Sequence, residues 1–318
     1  MRALVTGGAG FIGSHLVDAL VGRGDDVLVL DDLSTGRREN LAAALEAGAA
    51  LAEVGVTDRD AVEAAFADHR PEQVFHLAAQ IDVRVSVADP VFDLGVNVGG
   101  TINVLERCRD HGVARLIFAS TGGAIYGEGD GRELPLGEDA DCLPDAPYGQ
   151  SKLAAEGYLS LYRRQHGVAG ISLRLGNVYG PRQDPHGEAG VVAMFCGGLL
   201  GERELRVFGD GHQTRDYVYV GDVVTALLAA TNARGAGPYN IGTGVETSVL
   251  DLGASLAAAF GTAFEPELAP ARPGEVQRIA IDPARAAADL GWRAEADLDH
   301  GLRLTLDSFA TGRPRAGR

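Results

Sequence analysis

Short apolar runs alternate with amphipathic segments along the first half of the chain. The apolar runs predict β-strands at residues 2–6, 27–30, 50–54, 73–77, 115–119 and 170–175. Apolar residues at helical spacing predict helices at residues 14–22, 38–47, 59–69, 91–111 and 147–166. Strands that alternate with helices form parallel sheets covered on both faces. We therefore predict an α/β fold with a doubly wound parallel sheet of Rossmann type.

The pattern is less regular after residue 176, where turn-forming residues are frequent. It predicts helices at 190–201, 220–232 and 248–260, strands at 205–208, 217–218 and 239–241, and polar loops at 183–190, 209–216 and 269–278. We expect a smaller, mixed α/β C-terminal substrate domain. The predicted boundaries are 1–175, with about 217–243 returning, for the first domain, 176–216 and 244–312 for the second, and 313–318 for a disordered tail.

Three glycines lie between the first predicted strand and the first predicted helix. Gly7, Gly10 and Gly13 permit a tight turn in which N–H groups at the helix N-terminus bind a pyrophosphate. The spacing is Gly-x-x-Gly-x-x-Gly rather than Gly-x-Gly-x-x-Gly, and a purely structural turn is the alternative. The second strand ends in Asp31, where a carboxylate accepts hydrogen bonds from the ribose hydroxyls of a dinucleotide.

A carboxylate at position 31 also repels a 2′-phosphate, so the sequence favours NAD over NADP. Arg37 and Arg38 lie nearby and either weaken this preference or are solvated loop charges. The segments 7–13, 78–80 and 120–123 all follow predicted strands. Because ligands of parallel sheets bind beyond the carboxyl ends of the strands, we expect one cleft to collect these segments and Asp31.

A tyrosine and a lysine lie four residues apart at the start of the predicted helix 147–166. The chain has 28 lysines and arginines, and Lys152 is its only lysine. Residues four apart share a helix face, so the ammonium of Lys152 is expected beside the phenol of Tyr148. A neighbouring cation lowers a tyrosine pKa and makes the phenolate usable as a base. The alternative is a surface helix that begins at Pro147 and carries a lysine without function.

Composition excludes several classes of protein. The 318 residues carry a formal charge of −16, which argues against a nucleic-acid binder. Three widely spaced cysteines, Cys108, Cys142 and Cys196, suggest neither a disulfide framework nor a metal cluster and fit a reducing cytoplasm. No apolar run approaches the length of a membrane span, and no signal peptide is recognised. His186 and His212 lack partners at metal-ligand spacing, so no metal site is predicted.

Stretches spread over almost the whole chain resemble the extended short-chain dehydrogenase/reductase family. They are most similar to its nucleotide-sugar 4-epimerases, in particular the UDP-glucose (UDP-galactose) 4-epimerases of the shorter bacterial and archaeal type. The matching stretches occur in family order at 7–13, 30–34, 76–79, 97, 120–127, 148–152, 177–183, 209–211, 215–217 and 272–275. Each stretch is weak evidence by itself, whereas the ordered set is specific.

The resemblance implies an NAD-dependent epimerase that inverts C4 of a UDP-hexose. Tyr148, as phenolate, takes the proton of the sugar 4-hydroxyl while the C4 hydride passes to NAD. The 4-keto sugar then turns and receives the hydride on its other face. Lys152 bonds the nicotinamide ribose and lowers the tyrosine pKa, and a hydroxyl of Thr121 or Ser120 bridges to the 4-oxygen. The predicted catalytic residues are thus Tyr148, Lys152, Thr121 and Ser120.

The resemblance also implies which residues bind the two ligands. The cofactor residues are Gly7, Gly10, Phe11, Ile12, Gly13, Asp31, Asp32, Ser34, Thr35, Gly36, Val56, Leu77, Ala78, Ala79, Gln80, Asn97, Tyr148 and Lys152. The substrate residues are Thr121, Gly122, Asn177, Val191, Val192, Val207, Phe208, Gln213, Arg215, Arg272 and Glu275. Within these sets, Asn97 is expected to brace the active-site helix, and Arg215 and Arg272 to bind the pyrophosphate as guanidinium groups do.

Three positions depart from the pattern of similar enzymes. Gly122 stands where many relatives carry the catalytic hydroxyl, which moves that role to Thr121 or Ser120. Gly55 stands where many relatives carry an aspartate near the adenine. Ile279 matches a tyrosine that limits the C2 substituent of the sugar. A smaller residue leaves room for an N-acetyl group, so UDP-GlcNAc and UDP-GalNAc are further candidate substrates.

Other functions remain open at this point. A 4,6-dehydratase is disfavoured, because relatives place Asp-Glu after the active-site threonine and this chain has Gly122-Gly123. Epimerases of UDP-glucuronate, dTDP-sugars or GDP-sugars are alternatives, and a non-catalytic NAD-binding regulator is the most distant one. Similar enzymes pair two helices across a two-fold axis. We therefore expect a homodimer through a four-helix bundle of helices 91–111 and 147–166, and neither nucleic acid nor membrane as partner.

Overall fold

A computed structural model describes residues 1–185, 190–201, 204–271 and 276–311. The strands are β1 (Arg2–Thr6), β2 (Asp26–Asp31), β3 (Ala50–Glu53), β4 (Gln73–His76), β5 (Arg115–Thr121), β6 (Gly170–Leu175), β7 (Asn177–Tyr179), β8 (Arg206–Phe208), β9 (Thr214–Arg215), β10 (Tyr217–Tyr219), β11 (Tyr239–Ile241), β12 (Thr247–Ser248) and β13 (Glu267–Ala269).

The helices are α1 (Phe11–Gly22), α2 (Ala42–Glu46), α3 (Arg59–His69), α4 (Val83–Ala88), α5 (Pro90–Leu94), α6 (Gly100–Asp110), α7 (Gly122–Ile125), α8 (Pro147–His166), α9 (Val191–Leu199), α10 (Val220–Ala230), α11 (Val249–Phe260), α12 (Ala284–Leu290) and α13 (Leu298–Thr311). A 3-10 turn at Arg38–Leu41 precedes α2, and a π-helical turn at Gly95–Gly99 joins α5 to α6. The predicted helix 91–111 is therefore built from three helical segments.

Seven strands form one sheet in the order β11-β6-β5-β4-β1-β2-β3. Every neighbouring pair in it is parallel. The chain leaves β1 toward one edge and later crosses to the other, which is the doubly wound arrangement that the sequence predicts. The carboxyl ends of β1, β2, β4 and β5 consequently lie side by side at one edge of the sheet.

Alternate residues of the strands face two separate apolar cores. On one face, Val5 packs with Leu16 of α1 and with residues of α10. On the other face, Leu4 packs with Phe66 of α3, Leu159 of α8 and residues of α6. Because both faces are covered, the strands appear in the sequence as continuous apolar runs rather than as an alternating pattern.

A smaller C-terminal unit has its own apolar core. Phe195 of α9, Leu256 of α11 and Leu302 of α13 belong to one buried cluster. Short strand pairs accompany it, β13 with β8 and β12 with β9, whereas β11 joins the large sheet beside β6. The presence of a second unit agrees with the predicted fold class. The residue boundaries given above for the two domains stay a prediction.

The structure contains elements that periodicity did not predict, among them α4, α12, α13, β7 and β9. Helix α4 has six residues and begins at Val83, directly after Asp82, whose carboxylate caps the N–H groups of Arg84 and Val85. Several of its valines are exposed, so no apolar stripe marks it in the sequence. Strand β5 extends two residues beyond its prediction, because Ser120 and Thr121 continue the pairing with β6.

Candidate functional site

The glycine turn after β1 lies between the ends of two neighbouring strands. The N–H of Gly7 donates to Leu30 O of β2 at 2.8 Å. On the other side, the N–H of Leu77 donates to Thr6 O at 3.1 Å, and the N–H of Ala78 donates to Thr6 Oγ1 at 3.2 Å. The segments 7–13 and 77–80, which the sequence analysis assigned to the cofactor, are thereby brought together.

Glycine is required at positions 7 and 13 for different reasons. Gly7 has a φ of +69°, and a Cβ there would lie 2.6 Å from the backbone nitrogen of Ala78. A Cβ on Gly13 would lie 2.1 Å from Gly7 O, so α1 packs directly on the turn. No side chain caps the N-terminus of α1 at Gly10, which leaves the helix N-terminus to bind an anion.

Replacing Gly7 with alanine is expected to lower the free energy of unfolding by roughly 2–4 kcal/mol, because the left-handed φ and the clash with Ala78 both cost energy. The purified variant should also lose NAD, which is measured by absorbance after denaturation. Gly22→Ala in α1 is the matched control, since a Cβ there meets nothing within 4 Å. Alanine at position 22 should stabilise by roughly 0.5–1 kcal/mol. Equal stability of the two variants would contradict the steric argument.

The carboxylate of Asp31 lies at the end of β2 beside the glycine turn. It accepts from the N–H of Ala9 and from the N–H of Leu33, each at 2.9 Å. Burial raises the pKa of Asp31, and these two backbone donors lower it. Arg37 pairs with Asp184 at 2.8 Å and Arg38 with Glu53 at 3.2 Å. Both arginines thus face carboxylates in exposed ion pairs.

The other predicted cofactor residues lie around the same strand ends. Asp32 accepts from the backbone and the hydroxyl of Ser34, and a Cβ on Gly36 would lie 2.6 Å from Asp31 Oδ1. Val56 is buried in the apolar core of α3 and α6. Phe11, Ile12, Thr35, Ala79 and Gln80 complete the set on the turn, on the loop after β2 and after β4. The bare helix N-terminus and the carboxylate at the end of β2 fit a dinucleotide.

Helix α8 places Tyr148 and Lys152 one turn apart. Pro147 is its first residue, which suits the first turn of a helix, and Gly167 ends it in the left-handed conformation. The ammonium of Lys152, 3% exposed, donates to Ala119 O at 2.8 Å and lies 4.7 Å from the centre of the Phe118 ring. Burial lowers the pKa of Lys152 to about 8. The lysine is therefore a buried cation under the end of β5.

The phenol of Tyr148 lies beside Thr121, the last residue of β5. Burial raises the pKa of Tyr148 to about 12, and a hydrogen bond with the Thr121 hydroxyl lowers it. The predicted lowering of this pKa by Lys152 is not found, because the ammonium is turned to Ala119 O. Ser120 is buried, and its hydroxyl has no partner among the described residues. The structure thus favours Thr121 over Ser120 as the hydroxyl beside the phenol.

Asn97 lies on the π-helical turn and connects β4 to α8. Its amide donates to Ser151 Oγ, to Asp93 Oδ1 and to Gln80 O, and its oxygen accepts from the N–H of Gln80. The bond to Ser151 connects the turn to α8, the helix that Asn97 is expected to brace. A direct contact of Asn97 with the cofactor stays a prediction. π-Helical turns are frequent at functional sites.

The predicted substrate residues lie on both units. A Cβ on Gly122 would lie 2.6 Å from Ile281 Cδ1, and a Cβ on Gly123 would lie 3.1 Å from Asn177 Oδ1. Arg215 bonds Thr214 O, and Gln213 bonds Phe208 O at 2.9 Å. Val192 and Val207 are buried in the core of the C-terminal unit, with Val191 packed against it. Arg272 and Glu275 lie outside the described residues, as do His186 and the tail 313–318.

Ile279 does not lie beside open space. Its side chain is 1% exposed and packs in a cluster with Ile125, Tyr126, Leu136 and Ile281. The effect of this position on the C2 substituent of the sugar stays a prediction.

Two residues with a place in the site were missed by the sequence analysis. Ser86 of α4 is buried and accepts from the N–H of Tyr148 at 3.2 Å, which holds the start of α8. Asp216 is buried and accepts from the N–H groups of Thr243, Gly244 and Ile281, which fixes the strand after Arg215. Ser86 has no signal in the sequence, whereas Asp216 lies within the Arg-Asp-Tyr stretch already noted.

No helix in the described part of the chain has the length and apolar character needed to span a bilayer. Over the same residues, no three His, Cys, Asp or Glu side chains lie close enough together to hold a metal ion.

Comparison with known proteins gives consistent matches. The model of the NAD dependent epimerase/dehydratase family matches residues 3–242. UDP-glucose 4-epimerase of Mycolicibacterium smegmatis is 46% identical over 97% of this chain and 98% of its own length. The structure of UDP-glucose 4-epimerase from Thermotoga maritima with UDP-glucose has a TM-score of 0.94 at 45% identity and covers 98% of this chain and 99% of that one. The Thermus thermophilus UDP-glucose 4-epimerase complex with NAD has a TM-score of 0.91 at 47% identity, with 98% and 100% covered.

Proposed function

The chain belongs to the NAD dependent epimerase/dehydratase family, and from this premise we propose that it inverts C4 of a UDP-hexose, interconverting UDP-glucose and UDP-galactose through a transient 4-keto sugar. The observation that carries the proposal is the placement of Thr121, Tyr148 and Lys152 at the end of β5. That end lies in the row of strand ends that includes the glycine turn. A hydroxyl, a phenol and a buried ammonium there suit proton transfer at a sugar hydroxyl.

Each residue of this group has a separate role. Tyr148 Oη takes the proton from the sugar 4-hydroxyl and returns it after the sugar has turned. The Thr121 hydroxyl, already bonded to the phenol, bridges Tyr148 and the sugar 4-oxygen. Lys152 supplies positive charge that favours the phenolate once its ammonium turns from Ala119 O toward the cofactor ribose. The glycine turn and Asp31 would hold NAD, which would supply the hydride acceptor and donor for C4.

The nucleotide half of the substrate has to carry the binding energy, because the sugar must turn without leaving the site. We assign this anchoring to Asn177, Gln213 and Arg215, together with Arg272 and Glu275 of the same predicted set. A guanidinium such as that of Arg215 gives paired charge-assisted hydrogen bonds to a pyrophosphate. The apolar residues Val191, Val192, Val207 and Phe208 are assigned to the surroundings of the uracil.

The residues that follow Thr121 disfavour a dehydratase. Elimination of water across C5–C6 needs an acid and a base next to the active-site threonine. Positions 122 and 123 are both glycines, so no carboxylate side chain follows Thr121 in this chain. Inversion at C4 needs no such group.

The test is incubation of the purified protein with UDP-galactose in D2O, followed by proton NMR of the products. Epimerisation gives UDP-glucose with protium retained at C4, since the hydride never exchanges with solvent. Deuterium at C5 together with a 6-deoxy product would indicate a dehydratase. No conversion of UDP-galactose, UDP-glucuronate, dTDP-glucose or GDP-mannose would indicate a non-catalytic protein. UDP-GlcNAc in the same assay tests tolerance at C2.

We assign residues 1–175, with 217–243, to NAD and residues 176–216 and 244–312 to the nucleotide sugar. The strand β11 and the helix α10 support this division, since both pack with the large sheet. We also place the protein in the cytoplasm. Cys108, Cys142 and Cys196 are all free thiols, as is usual in a reducing compartment.

We propose that a second copy of the chain covers an apolar patch on α4 and α5. Val87, Val91, Phe92 and Leu94 are exposed on these two short helices, with Val91 at 78%. Helix α5 packs against α8, so a two-fold axis at this place would bring two copies of the 91–111 and 147–166 segments together. Contiguous exposed apolar surface of this kind marks protein interfaces.

The double variant Val91→Asp, Leu94→Asp should convert a dimer to a monomer, because charges at the centre of an apolar interface are not compensated. Light scattering should give about twice the chain mass of 33.1 kDa for the parent protein and the single chain mass for the variant. Val245→Asp, at an exposed valine far from the patch, is the control and should stay dimeric. A monomeric parent protein would refute the dimer.

A further inference from the structure

A line of buried polar side chains runs from the glycine turn to the backbone of Tyr148. Its members come from β1, β4, the π-helical turn, α6 and α8. In order they are Thr6, His76, Thr101, Asn97 and Ser151, all of them buried. None of the proton steps described above uses Thr6, His76 or Thr101, so their arrangement needs another explanation.

The hydrogen bonds of His76 fix its tautomer. The Thr101 hydroxyl donates its one proton to Asn97 O at 2.6 Å, so at 3.0 Å it must accept from His76 Nε2. His76 Nδ1 is then the acceptor, and it receives the proton of Thr6 Oγ1 at 2.7 Å. Thr6 Oγ1 in turn accepts from the N–H of Ala78. In this half of the line, each hydrogen bond therefore has only one possible donor and one possible acceptor.

The second half of the line ends at the catalytic tyrosine. Asn97 donates to Ser151 Oγ at 3.0 Å, and Ser151 Oγ donates to Tyr148 O at 2.9 Å. The strand that carries the glycine turn is thereby connected to the first turn of α8. Asn97 lies on the π-helical turn between α5 and α6, a conformation that is rarer than the α-helix on either side of it.

The surroundings keep His76 neutral. Burial and the positive charge of Lys152 lower the pKa of His76 to about 3. The imidazole stacks on Phe118 with ring centres 5.6 Å apart, and the ammonium of Lys152 lies over that same ring. A second cation at this place would repel Lys152, so one neutral tautomer persists over the working range of pH.

We propose that His76 is a positioning residue, which acts with Thr6 and Thr101 to hold the π-helical turn and thus sets the distance from Tyr148 to the glycine turn. The proposal rests on the proposed function for its consequence in catalysis. When the link from His76 to Thr101 is lost, the wide turn relaxes toward regular helix and Asn97 moves away from Ser151. Tyr148 is then less well placed over the 4-oxygen, and displacements near 1 Å are costly to proton transfer.

The structure offers a matched pair of variants. Thr101 and Thr305 are both buried in helices, and each hydroxyl bonds the carbonyl four residues earlier, at 2.6 and 2.7 Å. Only Thr101 also accepts from a histidine. Both variants should therefore lose the bond to the carbonyl, and Thr101→Val should lose more stability than Thr305→Val, because it leaves the N–H of His76 Nε2 buried without an acceptor. Thr101→Val should lower kcat by about tenfold and leave KM for UDP-galactose within about twofold, since Tyr148 and not the nucleotide anchor is displaced. Thr305→Val should keep kcat, and Thr101→Ser should restore it.

An independent readout is the tautomer of His76 in the intact protein, seen by long-range 15N–1H NMR and assigned with His76→Gln. We expect a proton on Nε2 and none on Nδ1 from about pH 5 to pH 9. A proton on Nδ1, or an equal kcat for Thr101→Val and Thr305→Val, would overturn the proposal. An inactive parent protein would refute the proposed function instead, and the tautomer measurement would still decide the line of hydrogen bonds.

Discussion

Replacing Tyr148 with phenylalanine is expected to lower kcat by about a thousandfold or more, with little change in the fold. The change removes one oxygen, which bonds Thr121 and, in the proposed reaction, carries the proton of the sugar 4-hydroxyl. General acid–base groups contribute about 10²–10⁴ in rate. The conversion of UDP-galactose measured by NMR or by a coupled assay gives kcat and KM. KM should change little, because the nucleotide carries the binding energy.

The control for this variant is Tyr158→Phe, on the same helix and partly exposed to solvent. It removes a phenol oxygen from α8 at a position away from the cleft, so kcat should stay within about twofold. Both variants should bind NAD as the parent protein does. If Tyr148→Phe kept more than about a tenth of the parent kcat, the phenol would not have the role in proton transfer that we assign to it.

Lys152→Met should lower kcat by about a hundredfold or more, because the one ammonium at the end of β5 is lost. Lys152→Arg should not restore activity. The ammonium lies 2.8 Å from Ala119 O and 4.7 Å from the centre of the Phe118 ring, and a planar guanidinium is too large for that space. A variant with arginine that works at the parent rate would show that any positive charge suffices.

The same lysine is expected to cost stability. Burial lowers its pKa from 10.5 to about 8, so below pH 8 the folded protein holds a disfavoured charge. Between these values the unfolded chain binds more protons, and the stability contribution of Lys152 rises with pH. The lowered pKa of Lys152 corresponds to a destabilisation of the folded protein by roughly 3 kcal/mol. A variant without the ammonium avoids this cost but loses the hydrogen bond to Ala119 O, which offsets about 1–2 kcal/mol of the gain.

Lys152→Met should therefore be as stable as the parent protein or more stable at pH 7, by up to about 2 kcal/mol. The gain should shrink as the pH rises from 8 to 10.5. Urea unfolding of both proteins across this range measures it, and no second lysine titrates there because Lys152 is the only one. A variant clearly less stable at pH 7 would show that the ammonium stabilises the fold.

The sequence predicted the main elements well where local periodicity is strong. The strands Arg2–Thr6 and Gly170–Leu175 and the helices Arg59–His69 and Pro147–His166 begin and end at the predicted residues. The strands of the large sheet are buried on both faces, so their apolar runs stand out from the polar faces of the helices. The same regularity placed the glycine turn, Asp31 and the segment 120–123 at one edge of the sheet.

The weaker predictions lie where local sequence carries little information. Helix α4 is short, with exposed valines in place of a polar face, and it supplies Ser86 to the start of α8. Ile279 was assigned by resemblance to the surroundings of the sugar, and the packing places it in an apolar cluster. In both cases a neighbour distant in sequence decides the role of the residue.

The sequence by itself determined the type of sheet, the glycine turn, and a tyrosine and a lysine spaced to share one helix face. These follow from interactions between residues a few positions apart. Only the tertiary structure decided that Lys152 faces Ala119 O, that burial raises the pKa of Tyr148, and that Thr6, His76 and Thr101 bond in one line. Desolvation and buried hydrogen bonds depend on groups that β1, β4, β5, α6 and α8 bring together from distant parts of the chain, and no local pattern records them.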